Sequence, residues 1–254
     1  MSAKELFQAG KLDEAIAALG VEVRDNPTDV RRRTFLFELL CFKGDYDRAE
    51  KHLNLLADAS PDARVGAMLY FSALHGERIR QDLFAKKDYP VTPVSENPRT
   101  GTLNGTPFEV LEDADPRIGP RLELFAAGAY LWIPFEHIES IEIEAPKRLR
   151  DLLWAPALVR TGPKFKDKEL GEVLLPVLAP FSGRHPNDEV KLGRATEWAD
   201  EDGVAVPYGQ RMFSVDGEDF PLLEIRKIEF TPSEGSLEPE VESASEVSQE
   251  NQGA

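Results

Sequence analysis

Hydrophobic positions follow two different periodicities along the chain. Over the first 88 residues apolar side chains recur at helical spacing, whereas from about residue 100 they alternate with polar ones, as in half-buried strands. Three prolines interrupt the chain between these regions, and a proline disfavours the helical conformation of the residue before it. The pattern predicts an α+β protein with antiparallel helical repeats at 1–88, a proline-rich linker at 89–99 and a β-rich α+β domain at 100–231.

An internal repeat lies within the helical region, because the first 63 residues match themselves when shifted by 34 positions. The matched pairs are Gly10 and Gly44, Leu12 and Tyr46, Asp13 and Asp47, Ala15 and Ala49, Leu19 and Leu53, and Pro27 and Pro61. Glycine permits a tight turn between two helices, alanine lets them approach closely, and proline ends each unit. Residues 8–16 and 42–50 resemble the inter-helix turn of tetratricopeptide repeats. About two and a half such repeats are implied, and they need the following domain to complete their core.

A third helix is predicted from about Asp62 to His75, before Gly76, and a short helix to Phe84 is expected to cap the stack. The third helix carries four apolar residues, which are Val65, Met68, Leu69 and Tyr70. Because tetratricopeptide repeats stack through such apolar faces, this helix is expected to extend the repeat array.

The second region reads as a series of short strands. Asn104-Gly105 predicts a two-residue hairpin turn with a strand on either side. Further strands are predicted at Arg121–Phe125, Ala129–Ile133, Ile138–Ile143, Val173–Val177, Val204–Pro207 and Leu222–Phe230, and short helices at Lys147–Trp154 and Phe135–Ile138. Strands this closely spaced leave no room for crossover helices, so a parallel sheet is not expected.

Charge and cysteine content narrow the possible partners. The 254 residues carry a formal net charge of −16, which repels nucleic acid and anionic membrane surfaces and favours protein partners. Cys41 is the single cysteine, so no intramolecular disulfide is possible and a reducing compartment is expected. No apolar stretch approaches the roughly 18 to 20 residues that cross a bilayer, and we expect a cytoplasmic protein. Residues 232–254 contain six acidic and no basic residues, which predicts a disordered acidic tail.

No catalytic motif is present in the sequence. It lacks a phosphate-binding glycine loop, a nucleophile elbow and a zinc-binding His-Glu-x-x-His helix. We therefore expect a non-enzymatic protein without cofactor or metal. The alternative from another class is a hydrolase that uses the carboxylates of Asp113, Asp115 and Glu123.

Two groups of residues are candidates for partner binding. In the tetratricopeptide register, one helix face corresponds to the concave groove that commonly receives a peptide or helix, and it carries Arg31, Thr34, Glu38 and Phe42. Packing of Phe42 on the next repeat is an equally good interpretation. The second group is made of the three tryptophans, Trp132, Trp154 and Trp198, which are expected either to anchor the core or to form interface hot spots.

A more specific resemblance comes from the second region. Segments 113–123, 128–136, 149–157, 192–198, 209–213 and 222–230 resemble, in order, the signatures of the ImpE family, also called TagJ or SciE. The resemblance implies an accessory component of bacterial type VI secretion. Its implied partner is the small sheath subunit TssB, bound through the N-terminal helix of TssB. A role in sheath assembly, or in turnover linked to the ATPase ClpV, is implied as well. The alternative is a generic tetratricopeptide scaffold or co-chaperone of another complex. The acidic tail is not part of the family pattern.

Overall fold

A computed structural model describes residues 1–90, 98–162, 165 and 170–232 of the chain. Its helices are α1 (Ala3–Gln8), α2 (Leu12–Asp25), α3 (Val30–Phe42), α4 (Tyr46–Ala57), α5 (Pro61–Lys86) and α6 (Asp188–Lys191). The first four form two antiparallel pairs, each joined at a repeat glycine, and strands follow from residue 101. Helical repeats followed by a β-rich region confirm the predicted fold class. Residues 91–97 of the predicted linker and 233–254 of the predicted tail lie outside the described residues.

Helix starts follow the capping rules with one informative exception. The side chains of Ser2, Asp29, Asp45 and Ser60 each accept a backbone N–H in the first turn of α1, α3, α4 and α5 respectively. Helix α2 has no such cap of its own. Instead the Asp188 carboxylate, which is 176 positions away, accepts the Leu12 N–H at 2.8 Å. The β-rich region thus supplies the N-terminal cap of helix α2.

Helix α5 corrects the prediction of two separate helices. It runs for 26 residues without a break, and Gly76 lies inside it. A Cβ atom at Gly76 would lie 2.5 Å from Cδ1 of Phe125, which is closer than real contacts allow. The glycine therefore permits close packing of the helix on the sheet and does not end the helix.

Thirteen strands follow within the described residues. They are β1 (Gly101–Leu103), β2 (Thr106–Phe108), β3 (Leu111–Asp113), β4 (Arg121–Ala126), β5 (Ala129–Pro134), β6 (Ile138–Ile143), β7 (Trp154–Thr161), β8 (Glu172–Pro176), β9 (Thr196–Glu201), β10 (Val204–Gly209), β11 (Met212–Val215), β12 (Glu218–Pro221) and β13 (Lys227–Phe230). Eight of them form one antiparallel sheet in the order β2-β1-β13-β6-β7-β8-β4-β5. The others form the three-stranded sheet β12-β11-β3 and the hairpin β9–β10.

The turns and strands of the β-rich region agree with the sequence patterns in part. The turn at Asn104-Gly105 is confirmed, since it joins β1 to β2 with φ angles of 50° and 85°. Two predictions are wrong. Leu222–Glu224 forms a 3-10 turn before β13, so the predicted strand is shorter, and only Leu149–Leu152 of the helix predicted at 147–154 is helical, again as a 3-10 turn.

The large sheet separates two hydrophobic cores, because successive side chains of a strand point to opposite faces. On β4, Leu122 and Leu124 join a core inside the β-rich region, whereas Phe125 packs with the helices. On β7 and β8, Trp154 and Leu174 likewise pack with the helices. The repeats therefore bury much of their apolar surface against the chain's own sheet. Within the described residues, no helix is both long and apolar enough to span a bilayer.

Candidate binding site

The first helix of each repeat lies beside the first helix of the following repeat. Phe7 of α1 contacts Phe35 of α3 edge to face, with ring centroids 5.6 Å apart. Phe37 of α3 contacts Tyr70 of α5 in the same way at 6.2 Å. These contacts arrange α1, α3 and α5 as neighbours, so the face of α3 that carries the predicted groove residues continues onto α5.

The chain itself fills the C-terminal half of that face. Phe42 is 1% exposed and Trp154 is 2% exposed. The Trp154 ring lies 6.2 Å from that of Tyr70, and its Nε1 donates to Oε1 of Glu77 at 3.1 Å. The assignment of Phe42 and Trp154 to partner binding is therefore corrected in favour of the core alternative: both belong to one core, in which Trp154 of the β-rich region packs with the helices.

Glu38 lies at the border of the covered half. Its side chain is buried, and burial raises its pKa to about 7 although the nearby Arg150 guanidinium opposes this shift. Arg150 lies over the ring of Tyr70, 4.7 Å from its centroid. Glu38 is thus a partly desolvated carboxyl under its own chain and is not an open binding group.

The N-terminal half of the face remains open. Arg31 is exposed, and half-buried Thr34 donates its hydroxyl hydrogen bond to the Val30 carbonyl at 2.9 Å. Beside them α5 exposes three large apolar side chains, which are Val65 at 69%, Met68 at 63% and Leu69 at 50%. We call Arg31, Thr34, Val65, Met68 and Leu69 the open surface.

Sequence reasoning missed the α5 part of the open surface as a site, although the 34-residue period contained the signal. The same shift places Arg31 on Val65 and Thr34 on Met68. These are equivalent repeat positions, so they belong to the same side of the helix layer. Apolar side chains that have no neighbour to cover them mark an interaction surface more often than isolated exposed residues do.

Cationic side chains lie near the open surface, although the whole chain is acidic. Lys147 and Arg148 are exposed and precede the 3-10 turn that carries Arg150. Arg148 is close enough to act electrostatically on Tyr70 of α5. Lys147 pairs with Glu144, whereas Arg148 and the exposed Arg31 favour a partner segment that has acidic residues beside its apolar ones.

The other two tryptophans differ from each other. Trp132 is half-buried and stacks on Tyr89 with ring centroids 6.1 Å apart, and its Nε1 donates to the Tyr130 hydroxyl at 2.5 Å. Trp198 lies on the hairpin β9–β10 and is 43% exposed. Trp132 is thus committed to intramolecular contacts, whereas Trp198 is available.

The carboxylates of the hydrolase alternative are held by arginines. Asp113 pairs with Arg211, Asp115 pairs with Arg117 at 2.6 Å, and Glu123 pairs with Arg80 at 2.5 Å. All three carboxylates are buried. Burial raises the pKa of Asp113 to about 6, whereas at Glu123 the two neighbouring arginines outweigh burial and lower the pKa.

The described cavity that borders this buried network is small. The cavity that touches Glu77 and Arg80 has a volume of about 20 Å³, room for about one water molecule and far below an ordinary ligand pocket. Across the described ranges no group of three or more potential metal ligands occurs. The geometry therefore favours a structural role for these charges, namely joining α5 to β4 and β11.

Comparisons with known proteins agree with both halves of this description. Residues 105–229 match the family model described as ImpE protein, and residues 6–69 match a tetratricopeptide repeat model. The chain is 32% identical to the type VI secretion system accessory component TagJ of Pseudomonas aeruginosa, over 92% of each protein. Its fold is similar to the crystal structure of protein VPA1032 from Vibrio parahaemolyticus, with a TM-score of 0.78 and 22% identity, covering 92% of this chain and 98% of that one.

Proposed function

This chain belongs to the ImpE family, and from that premise we propose that it is a non-enzymatic accessory component of a bacterial type VI secretion system. Its proposed partner is the small sheath subunit TssB, bound through the TssB N-terminal helix. In this role it assists sheath assembly or the turnover linked to ClpV. The acidic charge and the single buried cysteine support a cytoplasmic location.

The observation that carries the proposal is the open surface. Val65, Met68 and Leu69 occupy one face of α5 at helical spacing, so an amphipathic helix laid along them would bury all three side chains. Residues 1–88 supply this face in the proposal. Residues 100–231 cover the remainder of the repeats and hold the face in position.

Direct binding of purified proteins tests the proposal. The full chain is titrated with TssB and with a synthetic peptide of its N-terminal helix, and affinity is measured by calorimetry. Replacing Met68 and Leu69 by glutamate is expected to weaken binding by about 100-fold, because two apolar contacts are lost and a charge must be desolvated. The thermal transition should change little, since both side chains are exposed.

A matched control uses Val21→Glu with Leu55→Glu, which places the same two charges at exposed apolar positions of α2 and α4. Binding by this variant should equal that of the unmodified chain. An equal loss of TssB affinity in both variants would show that the open surface is not the binding site. No binding of TssB to the unmodified chain would overturn the partner and favour a tetratricopeptide scaffold for another complex.

A further inference from the structure

The hairpin β9–β10 presents an outward face that other described strands do not cover. Its two strands pair only with each other in the sheet arrangement. One face holds Val206 and Tyr208, which pack inward with the Tyr208 ring 5.6 Å from that of His185. The opposite face carries Trp198, Asp200 and Ala205, and all three are exposed.

Trp198 is unusual among the aromatic residues of this protein. Trp132 and Trp154 have ring contacts and hydrogen bonds within the chain, whereas no such contact is observed for Trp198 among the described residues. The Trp198 side chain has 43% of its surface in water. Burial of this large indole by a partner would therefore be energetically favourable. It is the kind of side chain that dominates interface energetics.

The charges of the hairpin specify the kind of partner. Residues 196–209 contain four carboxylates and no lysine or arginine. Glu201 pairs with Arg117 at 3.4 Å and Asp202 with Lys87 at 2.5 Å. Asp200 is the exposed carboxylate for which the described part of the chain shows no ion pair, and it accepts only the Gly203 N–H of the turn, at 3.1 Å.

Trp198 and Asp200 are two positions apart on one strand, so they share a face and lie about 7 Å from each other. We propose that this face is a second docking surface, for a protein segment that carries lysine or arginine. The cation would lie over the indole ring, where the π electrons attract it. Its charge would face the Asp200 carboxylate, and its apolar neighbours would contact Ala205.

This surface is separate from the open surface. The hairpin tip is tied by Asp202 to Lys87, at the end of α5. Leu69 lies 18 residues earlier in the same helix, which corresponds to about 27 Å along its axis. A single short helix therefore cannot occupy both surfaces, and the two proposals can fail independently.

A fluorescence titration tests the second surface, because Trp198 is the most exposed tryptophan. The full chain is titrated with a short synthetic peptide of alternating arginine and valine, and quenching of tryptophan emission by acrylamide is followed. Peptide binding should protect Trp198 from the quencher. Trp198→Ala and Asp200→Asn should each weaken peptide binding by about fivefold or more. For Trp198→Ala, which lacks the reporting indole, binding is measured by the fluorescence anisotropy of the peptide.

The matched control is Asp219→Asn, which removes an exposed carboxylate from the other hairpin, β11–β12. It should bind the peptide as the unmodified chain does, and a peptide of alternating glutamate and valine should not bind. Equal weakening by Asp200→Asn and Asp219→Asn, or undiminished binding by Trp198→Ala, would mean that only the net negative charge attracts the peptide. Either result overturns the docking surface. Binding of TssB should be unaffected by Trp198→Ala, which separates this test from that of the proposed function.

Discussion

The two halves of helix α5 share one backbone but meet different surroundings. In the C-terminal half, Gly76, Arg80 and Phe84 are buried against the sheet and the segments beside it. In the N-terminal half, Val65 and Met68 face solvent. The covered half packs Gly76 against Phe125 and buries Arg80 in an ion pair, whereas the uncovered half leaves large apolar side chains in water.

The difference shows that the helix packs on its own chain in one half and leaves apolar area exposed in the other. The covered half uses shape and paired charge, since Gly76 makes room for Phe125 and Arg80 neutralises Glu123. These two contacts fix the position of strand β4 on the covered half of α5. The uncovered half exposes apolar area that no other part of the described chain covers, and this is the character expected of a binding face.

Removing the paired charge should break the covered half most severely. Arg80→Ala leaves Glu77 and Glu123 buried with less positive charge nearby, and breaking such a pair costs about 3–5 kcal/mol of the free energy of unfolding. Urea denaturation of the purified chain measures the loss. Lys86→Ala removes an exposed ion pair to Asp82 in the same helix and should leave the midpoint unchanged. Similar midpoints for both variants would contradict the structural role of the buried network.

Replacing a glycine by alanine should have opposite effects on stability in the two halves of α5. Gly76→Ala places a methyl group against Phe125 and should cost about 1–3 kcal/mol. At Gly66, in the uncovered half, an added Cβ meets no neighbour within 4 Å outside the helix, so Gly66→Ala should stabilise the protein by about 0.5–1 kcal/mol. Thermal denaturation distinguishes the two signs. Stabilisation by both substitutions would show that α5 does not pack tightly on β4.

Local sequence patterns predicted much of the fold. The 34-residue shift located two helix pairs, and Asn104-Gly105 located a hairpin. Strand β9 was missed because four of its six residues are exposed, which resembles a loop in composition. Strand β7 was missed because Pro156 interrupts it, and proline argues against a strand interior. The turns Asp202-Gly203 and Asp216-Gly217 do carry a sequence signal for the hairpins β9–β10 and β11–β12.

The binding site was less predictable, because its limits depend on distant contacts. Nothing near Phe42 in the sequence indicates that Trp154, 112 positions later, lies in the same core. A repeat register identifies which residues share a face, but the cover of that face comes from another region of the chain. Trp198 was identifiable as a candidate by residue type, whereas its exposure required the tertiary structure.

The border between covered and open surfaces should make stability depend on pH. Burial raises the pKa of Glu38 to about 7, from an ordinary value of 4.5, against the effect of Arg150 and with a contribution from Asp151. Between these values the folded chain holds a proton that the unfolded chain has released, so stability falls as pH rises toward 7 and then levels off.

Glu38→Gln removes this contribution. Between pH 5.5 and pH 8, the unmodified chain should lose on the order of 1–2 kcal/mol more stability than the variant does. Asp113, with a pKa raised to about 6, contributes the same slope in both proteins, so it cancels in the difference. Urea midpoints at the two pH values provide the measurement, with Glu218→Gln at an exposed position as control. Parallel pH profiles for Glu38→Gln and the unmodified chain would mean that water reaches Glu38 and that the covered surface ends before it.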